Sequence, residues 1–439
     1  MKSSIRRRIF LAALVMSAAA LVQAQQFGDL PAAGHVSQDE IENGILKIPD
    51  VIKAGGELFK TEFNKLDGLD LRMGKFNRIV GPETQSCADC HFKPAIGGAG
   101  PNAANVFAVP GDSNRIDVAS PRNTNHMFGS GALELLGLEM TKELLAVERQ
   151  ARADARLQGK DVTLELIAKG ITFGSITARP DGSVDKSKVA GVDMNLVVKP
   201  FGRKGIIRTL RQFTLNANNL HFGMQAIELV GDKIDADLDG VVDELTVGDI
   251  SAETAWQATL PTPMRKTPSD KKLLEAVRQG EKLFSQIGCA ECHLPVMTLK
   301  SPLYRILNPR VNQGRELVLD LTKDAQEPRL TANADGTVAI ALYSDLKRHD
   351  MGVGLTEDRI QNGVKPSVFI TVPLWGVGST GPWLHDGRAT TLHDAIAAHG
   401  GEAEASRNKY SALNEAARRT VVEFLKSLVL SDKPTVPSE

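Results

Sequence analysis

Cys87-Ala88-Asp89-Cys90-His91 and Cys289-Ala290-Glu291-Cys292-His293 decide how this chain is read. The chain holds 4 cysteines, and all of them fall in these two pentapeptides. With 4 Cys and 9 His in 439 residues, a given Cys is followed by Cys three places on and then by His with a chance of roughly 2 in 10,000. The pattern occurs twice, which sets chance aside. Two thiols about one helical turn apart can each add to a vinyl group of one haem, while the next His turns its imidazole to the iron. Two local disulfides or a four-Cys zinc site would leave the adjacent His unexplained in both copies. Cys87, Cys90, Cys289 and Cys292 are therefore read as attachment points of two covalently bound c-type haems, with His91 and His293 as iron ligands.

Composition agrees with a globular protein built around such groups. Apolar residues make up 42% and charged residues 24%, which excludes long disorder, collagen-like repeats and a coiled coil. Only 5% is aromatic, so two haems would supply ring area that the side chains lack. Lys2, Arg6, Arg7 and Arg8 precede the apolar run 9–22 and the small-residue site Val22-Gln23-Ala24, the pattern of a cleaved secretory signal over residues 1–24. The expected location is the periplasm or another exported compartment. No later stretch approaches the ~18 apolar residues of a membrane span, so none is expected in the mature chain. Removing those four cations takes the formal charge from −1 to −5, which argues against nucleic acid as a partner. Small molecules or a redox partner protein fit better.

Working outward from the motifs, each follows a helical lead-in: Gly56-Glu57-Leu58-Phe59 before the first, Gly280-Glu281-Lys282-Leu283-Phe284 before the second. This weak repeat implies two cytochrome-c-like haem domains. Phe284 stands five residues before Cys289 but Phe59 stands 28 before Cys87, so the first domain carries an insertion. Leu260-Pro261-Thr262-Pro263 reads as the linker, giving an N-terminal haem domain over 25–262 and a C-terminal one over 263–439. The class is mainly α, with short β-hairpin insertions. Residues 132–157 form a helix that begins apolar and becomes charged, and Leu413, Ala416, Thr420, Phe424 and Leu428 mark one face of a C-terminal helix. Asp181-Gly182 and Asp335-Gly336 signal hairpin turns.

Asp235, Asp237, Asp239 and Asp243 surround Gly240 in the manner of the first two-thirds of a calcium loop. Position 12 is Thr246 in place of the bidentate Glu, which excludes a sensor-type EF-hand. A structural calcium site and a solvated acidic turn both remain open at this stage.

Longer motifs carry a family resemblance over nearly the whole mature chain. They are Tyr343-Ser344-Asp345-Leu346 running into His349-Asp350-Met351-Gly352, Pro373-Leu374-Trp375-Gly376, and Leu384-His385-Asp386-Gly387-Arg388 running into His399-Gly400-Gly401-Glu402-Ala403. Phe128-Gly129-Ser130-Gly131-Ala132-Leu133-Glu134 and Glu244-Leu245-Thr246-Val247-Gly248-Asp249 add to them. With the two haem motifs, the chain resembles the bacterial di-haem oxidoreductases, often labelled peroxidase or thiol oxidoreductase. That family lies in the superfamily of di-haem cytochrome c peroxidases, MauG-type maturation enzymes and rubber oxygenases. Where members often carry Trp after a Phe-Gly pair, this sequence reads Phe201-Gly202-Arg203-Lys204. In related oxygenases that neighbourhood lies near the first haem's distal side, so Arg203 leaves the substrate open.

Axial ligands follow from pattern and resemblance together. Leu392, Ile396 and His399 share one face of a helix that Thr391 can cap and Gly400 ends. The matching position is Met in the peroxidases and Tyr in the maturation enzymes, so His399 is assigned with His293 to the second iron. The resemblance puts His385 beside that haem, and Trp375 and Trp383 on the path between haems; His393 lies off the face and is expected to be exposed. His126 could be a displaceable ligand of the first iron, a distal base or a surface residue. Glu134 stands where the superfamily carries its distal-pocket Glu and is the candidate acid/base for peroxide cleavage; a helix-start carboxylate is the alternative. Arg122 could polarise bound peroxide or pair with a haem propionate. The expected function is a periplasmic, peroxidase-like di-haem c-type cytochrome oxidoreductase. Its first haem would bind hydrogen peroxide or dioxygen, and its second would relay electrons. A non-catalytic electron-transfer cytochrome and an oxygenase of an organic substrate are the alternatives.

Overall fold

The computed structural model describes residues 30–69, 84–103, 106–108, 120–310 and 315–430; the signal segment 1–24 lies outside them. Helix exceeds strand, 38% against 15%, and the strands form small antiparallel sheets of two or three strands. No helix among the described residues is long and apolar enough to cross a membrane.

One helix pair is built twice. In the Ile48–Lys60 helix, Val51, Gly55, Leu58 and Phe59 form the buried stripe. A Cβ on Gly55 would lie 1.9 Å from the Ala252 carbonyl oxygen, so this helix crosses the Val247–Ala258 helix backbone to backbone. The Lys271–Gln286 helix buries Val277, Gly280 and Phe284, and a Cβ on Gly280 would lie 1.9 Å from the Thr420 oxygen of the Glu415–Ser427 helix. In each pair the aromatic residue four places after the glycine meets the aromatic four places after the contacted carbonyl. Phe59 stacks on Trp256 with centroids 4.3 Å apart, and Phe284 on Phe424 at 5.3 Å. The repeat therefore aligns Gly55, rather than Gly56, with Gly280. Each phenyl ring then reaches its motif histidine, Phe59 to His91 at 5.9 Å and Phe284 to His293 at 6.3 Å.

Between these pairs, the Ser130–Gln158 helix buries Leu136, Met140, Leu144, Ala151 and Ala155 at helical spacing. It stays buried on one side through its charged half, because the strands Val162–Ala168 and Ile171–Ala178 pack along it. Their turn is Lys169-Gly170, both with positive φ, the backbone that a tight hairpin requires. The Asp181-Gly182 turn joins Ile171–Ala178 to Val184–Asp185, as expected from sequence. Asp335-Gly336 also turns, but the strand after it, Val338–Ile340, pairs with the distant Met297–Leu299.

One apolar cluster runs across the 262/263 boundary, joining Leu136, Met140 and Phe173 to Met297, Leu299, Tyr304 and Ile340. The proline stretch is pinned: Pro261 and Pro263 are buried, the Thr262 N–H donates to the Pro328 oxygen at 2.8 Å, and Met264–Arg265 pairs with Leu428–Val429. A second cluster, of Val277, Phe284, Tyr343, Leu392, Tyr410 and Phe424, packs against Cys289 and Trp383.

Candidate functional site

At the second motif, Cys289–Glu291 is a single 3-10 turn, which brings Cys289, Cys292 and His293 to one edge of a cavity of about 280 Å³. None of the four cysteines is joined to another. His293 is oriented from behind, its Nδ1 lying 3.1 Å from the Tyr343 carbonyl oxygen. Opposite stands His399, just past the Leu392–Ala397 helix, with Nδ1 2.7 Å from the Ala395 oxygen. With both Nδ1 atoms engaged by carbonyls, each ring has Nε2 left for a metal. The ring centroids are 6.5 Å apart. Two metal–nitrogen bonds of about 2 Å plus two half-rings of about 1.2 Å sum to about 6.4 Å, the spacing of two imidazoles on one iron. Burial holds His293 down to about 4, with His399 adding to the effect, and burial also lowers His399. Both rings are thus neutral near pH 7, the form that binds iron.

The rest of that cavity is lined by Phe284, Leu374, Trp383, Leu392, Ile396 and Leu425 among others. Trp383 donates through Nε1 to the Val377 oxygen at 2.9 Å. Trp375 is not on this wall; it is buried against Gly129 at the start of the Ser130–Gln158 helix. Arg203 lines this same cavity. Its Nη2 donates to the Asn123 oxygen at 3.0 Å, its Nε is buried without a partner, and burial lowers its pKa to about 10. His385 is buried and stacked on Phe369 at 4.8 Å, whereas His393 is exposed.

At the first motif, Cys87–Asp89 forms the same 3-10 turn, capped by Ser86. The His91 Nδ1 lies 3.1 Å from the Gly98 oxygen, the counterpart of the His293 contact. Burial lowers His91 to about 4, and His221 is close enough for its charge to push the same way. His221 belongs to one π-helical turn, Asn218–Phe222, a distortion frequent at functional sites. The Asn218 Nδ2 donates to the Glu253 Oε2 at 2.8 Å. Glu253 is 1% exposed, and burial pushes its pKa up to about 8. Its charge in turn raises the Cys87 thiol, which burial has already raised. The Asn218 Oδ1, Glu253 Oε1 and Gln257 Oε1 are all buried acceptors without a donor.

Sequence reading missed this group because neither His221 nor Glu253 lies in a motif. A histidine held in an apolar setting beside Phe222 and Met224 was the available signal. His126 is not a surface residue. It is half-buried, close enough to His91 for their charges to interact, and adjacent to the Trp375 backbone, and it lines the same cavity as His293 and His399.

Two expected catalytic residues are placed elsewhere. Glu134 is buried, but its Oε2 accepts from the Leu210 N–H and the Tyr304 hydroxyl, each at 2.7 Å. It holds the start of the Leu210–Ala217 helix and has no bond to the haem motif. Arg122 is committed to an ion pair with Glu357, which also binds the buried Lys204 at 3.0 Å, and Arg122 reaches Gln361 at 3.3 Å. That pairing leaves it unsuited to polarising a peroxide.

In the acidic loop, Asp235, Asp237 and Asp239 bring carboxylate oxygens within 4.8 Å of one another. Asp243 is turned away and accepts from the Lys233 N–H at 2.6 Å. Glu244 takes its place. It is 3% exposed, its Oε1 has no partner, and burial followed by the three aspartates raises its pKa to about 9. Its Oε2 accepts from the Gln225 N–H at 2.8 Å, three residues from Phe222.

Residues 318–428 match the family model described as "Di-haem oxidoreductase, putative peroxidase". The matched stretch contains Tyr343, His349, Trp375, His385 and His399, and over these residues the resemblance to the di-haem oxidoreductases is found again. Among solved structures, the chain is similar to Kuenenia stuttgartiensis hydrazine synthase pressurised with 20 bar xenon. That likeness has 18% identity and a TM-score of 0.30, over 64% of this chain and 87% of that one. It is also similar to a MauG-like protein associated with microbial copper homeostasis, at 15% identity and a TM-score of 0.28, over 58% of this chain and 78% of that one. No curated protein matches.

Proposed function

On the premise of the di-haem oxidoreductase match over residues 318–428, we propose that the protein is an exported, peroxidase-like oxidoreductase with two covalent c-type haems in cytochrome-c-like halves. The 87–91 site receives hydrogen peroxide or dioxygen, and the 289–293 site passes electrons. When bound, such a haem supplies an iron that exchanges single electrons and, where one axial position is open, a site for the oxidant. One contrast carries this reading. His293 faces a second imidazole at 6.5 Å, whereas the first motif has, acting on its Cys87, the buried carboxyl of Glu253, one oxygen of which lacks a donor.

The residues fit the group they would hold. Cys87 and Cys90, and Cys289 and Cys292, form no disulfide and lie beside their histidines. His399 closes the second site, and Arg203 brings a buried cation with a partnerless Nε to meet carboxylates there. At the first site, the acceptors of Asn218 and Gln257 suit a ligand with two O–H donors, which hydrogen peroxide has. Glu253 keeps a proton up to about pH 8 and has an oxygen with no other partner, so it can exchange a proton with the bound oxidant. Glu253 takes the role expected of Glu134.

The acidic loop supports a calcium ion held by Asp235, Asp237, Asp239 and Glu244. The buried, partnerless Glu244 oxygen favours it over a solvated turn. The ion would fix the segment that continues back to His221.

His221 favours a second reading, in which it ligates the first iron permanently and the protein only carries electrons. Steady-state reduction of hydrogen peroxide by a reduced dye separates the two. Turnover in the wild type, lost in Glu253→Gln with both haems retained, supports the enzyme; absence of turnover with two intact haems supports the carrier.

A further inference from the structure

Beyond the His293 and His399 contacts described above, the side chains around His349 and Glu402, which line the same cavity, form one connected unit. The His349 Nε2 lies 2.8 Å from the Asp345 Oδ2, and its Nδ1 lies 2.8 Å from the Glu402 Oε2. The second Glu402 oxygen accepts from the Asp350 N–H at 2.8 Å, so that carboxylate bridges two adjacent residues of one strand. The strand, Arg348–Asp350, pairs with Val368–Ile370, which places His349 opposite Phe369 and fixes its backbone.

Both ends of this unit lead to an axial histidine. Asp345 follows Tyr343 by two residues, and the Tyr343 carbonyl is the group that orients His293. Asp345 also accepts from the Lys347 N–H at 2.9 Å, which closes the turn after Tyr343. Glu402 follows His399 by three residues, across Gly400-Gly401. Those glycines lie flat on the strand end. A Cβ on Gly401, whose φ is +52°, would sit 2.2 Å from the Asp350 oxygen, and one on Gly352 would sit 2.7 Å from the Gly401 nitrogen. Only glycine lets the two segments meet there.

We propose that Asp345, His349 and Glu402 are positioning residues forming a clamp that sets the separation of His293 and His399 and so keeps the second iron closed by two imidazoles. This rests on the reading of His293 and His399 as the axial pair. The physical reason for a clamp is that His399 lies beyond the end of a six-residue helix, where neither helix length nor its own cap fixes it strongly. An iron–imidazole bond formed from such a position is easily exchanged unless the chain on its far side is tied down. The Glu402 bridge ties it, and through His349 it ties it to the same turn that aims His293. Cys292, Asp345 and His349 also lie within 4.8 Å as a metal-like group. The sulfur of Cys292 is committed to haem attachment, so this group is read as structural support.

The test uses the haem-loaded full chain with Glu402→Ala, His349→Ala and the conservative Glu402→Gln. Glu402 is 54% exposed at its side chain, so Glu402→Ala is expected to fold even where His349→Ala does not. Haem content is first checked at two per chain. The clamp predicts that Glu402→Ala converts half or more of the second haem's low-spin signal to high-spin and lets added imidazole or cyanide bind there. Glu402→Gln, which still accepts from the Asp350 N–H, should keep the wild-type spectrum. A Glu402→Ala protein with two haems and an unchanged low-spin signal overturns the clamp. A wild type that lacks a bis-imidazole signal overturns the underlying ligand assignment instead, so the two failures are told apart.

Discussion

Burial, helped by the like charge of Asp249 and opposed by the Asn218 hydrogen bond, raises the pKa of Glu253 from 4.5 to about 8. Between those values the folded chain keeps a proton that the unfolded chain gives up, so this residue lowers folding stability as pH rises from about 4.5 to about 8. Glu253→Gln should flatten that part of the curve of melting temperature against pH; an unchanged curve would mean the carboxyl ionises freely in the fold. The same substitution should reduce peroxide turnover by about 10²- to 10⁴-fold, the usual worth of a positioned acid/base. Glu134→Gln should lower melting temperature while leaving turnover within a few-fold, since Glu134 serves Leu210 and Tyr304. Its burial was legible from the apolar run around it. Its partners were not, because they lie 76 and 170 residues away.

Among the elements, the repeated crossing makes a sharp prediction. Gly280→Ala would place a methyl 1.9 Å from the Thr420 oxygen and force the helices apart. The expected cost is about 1–3 kcal/mol, or more where the backbone cannot yield, with Gly55→Ala alike and Gly34→Ala as a control in open space. Guanidinium unfolding of the three variants checks it, and equal midpoints for Gly280→Ala and wild type would contradict the close crossing. The repeated glycine and phenylalanine lead-in was visible in the sequence, though with Gly56 in the place of Gly55, as were the long helix and both Asp-Gly turns. The Lys169-Gly170 hairpin was not, because Lys seldom adopts positive φ and nothing local announces it. The acidic loop was visible, but the buried Glu244 beside its three aspartates was not. Asp243 and Glu244 are neighbours in sequence, and only the fold decides which faces inward. Chelation should lower the melting temperature by several degrees, and Glu244→Gln should remove most of that sensitivity; a chelator without effect would exclude the ion.

For the whole molecule, the two haem motifs and His399 already pointed from the sequence to the expected chemistry and to the division between the sites, and the fold adds the residues that surround each. A single apolar cluster crosses the proline stretch, so the halves are not expected to unfold independently. Cys87→Ala with Cys90→Ala should remove the first haem and lower the yield, because Phe59, Trp256 and Leu260 would then line a void. Normal yield with two haems would contradict the attachment. The central claim is that one iron is closed and the other open. Cyanide titration of the resting ferric protein, followed by electron paramagnetic resonance, tests it most directly. The account predicts two haems per chain and one cyanide bound per chain, with a bis-imidazole low-spin signal from the other haem unchanged throughout. No cyanide bound, or two per chain, would contradict it.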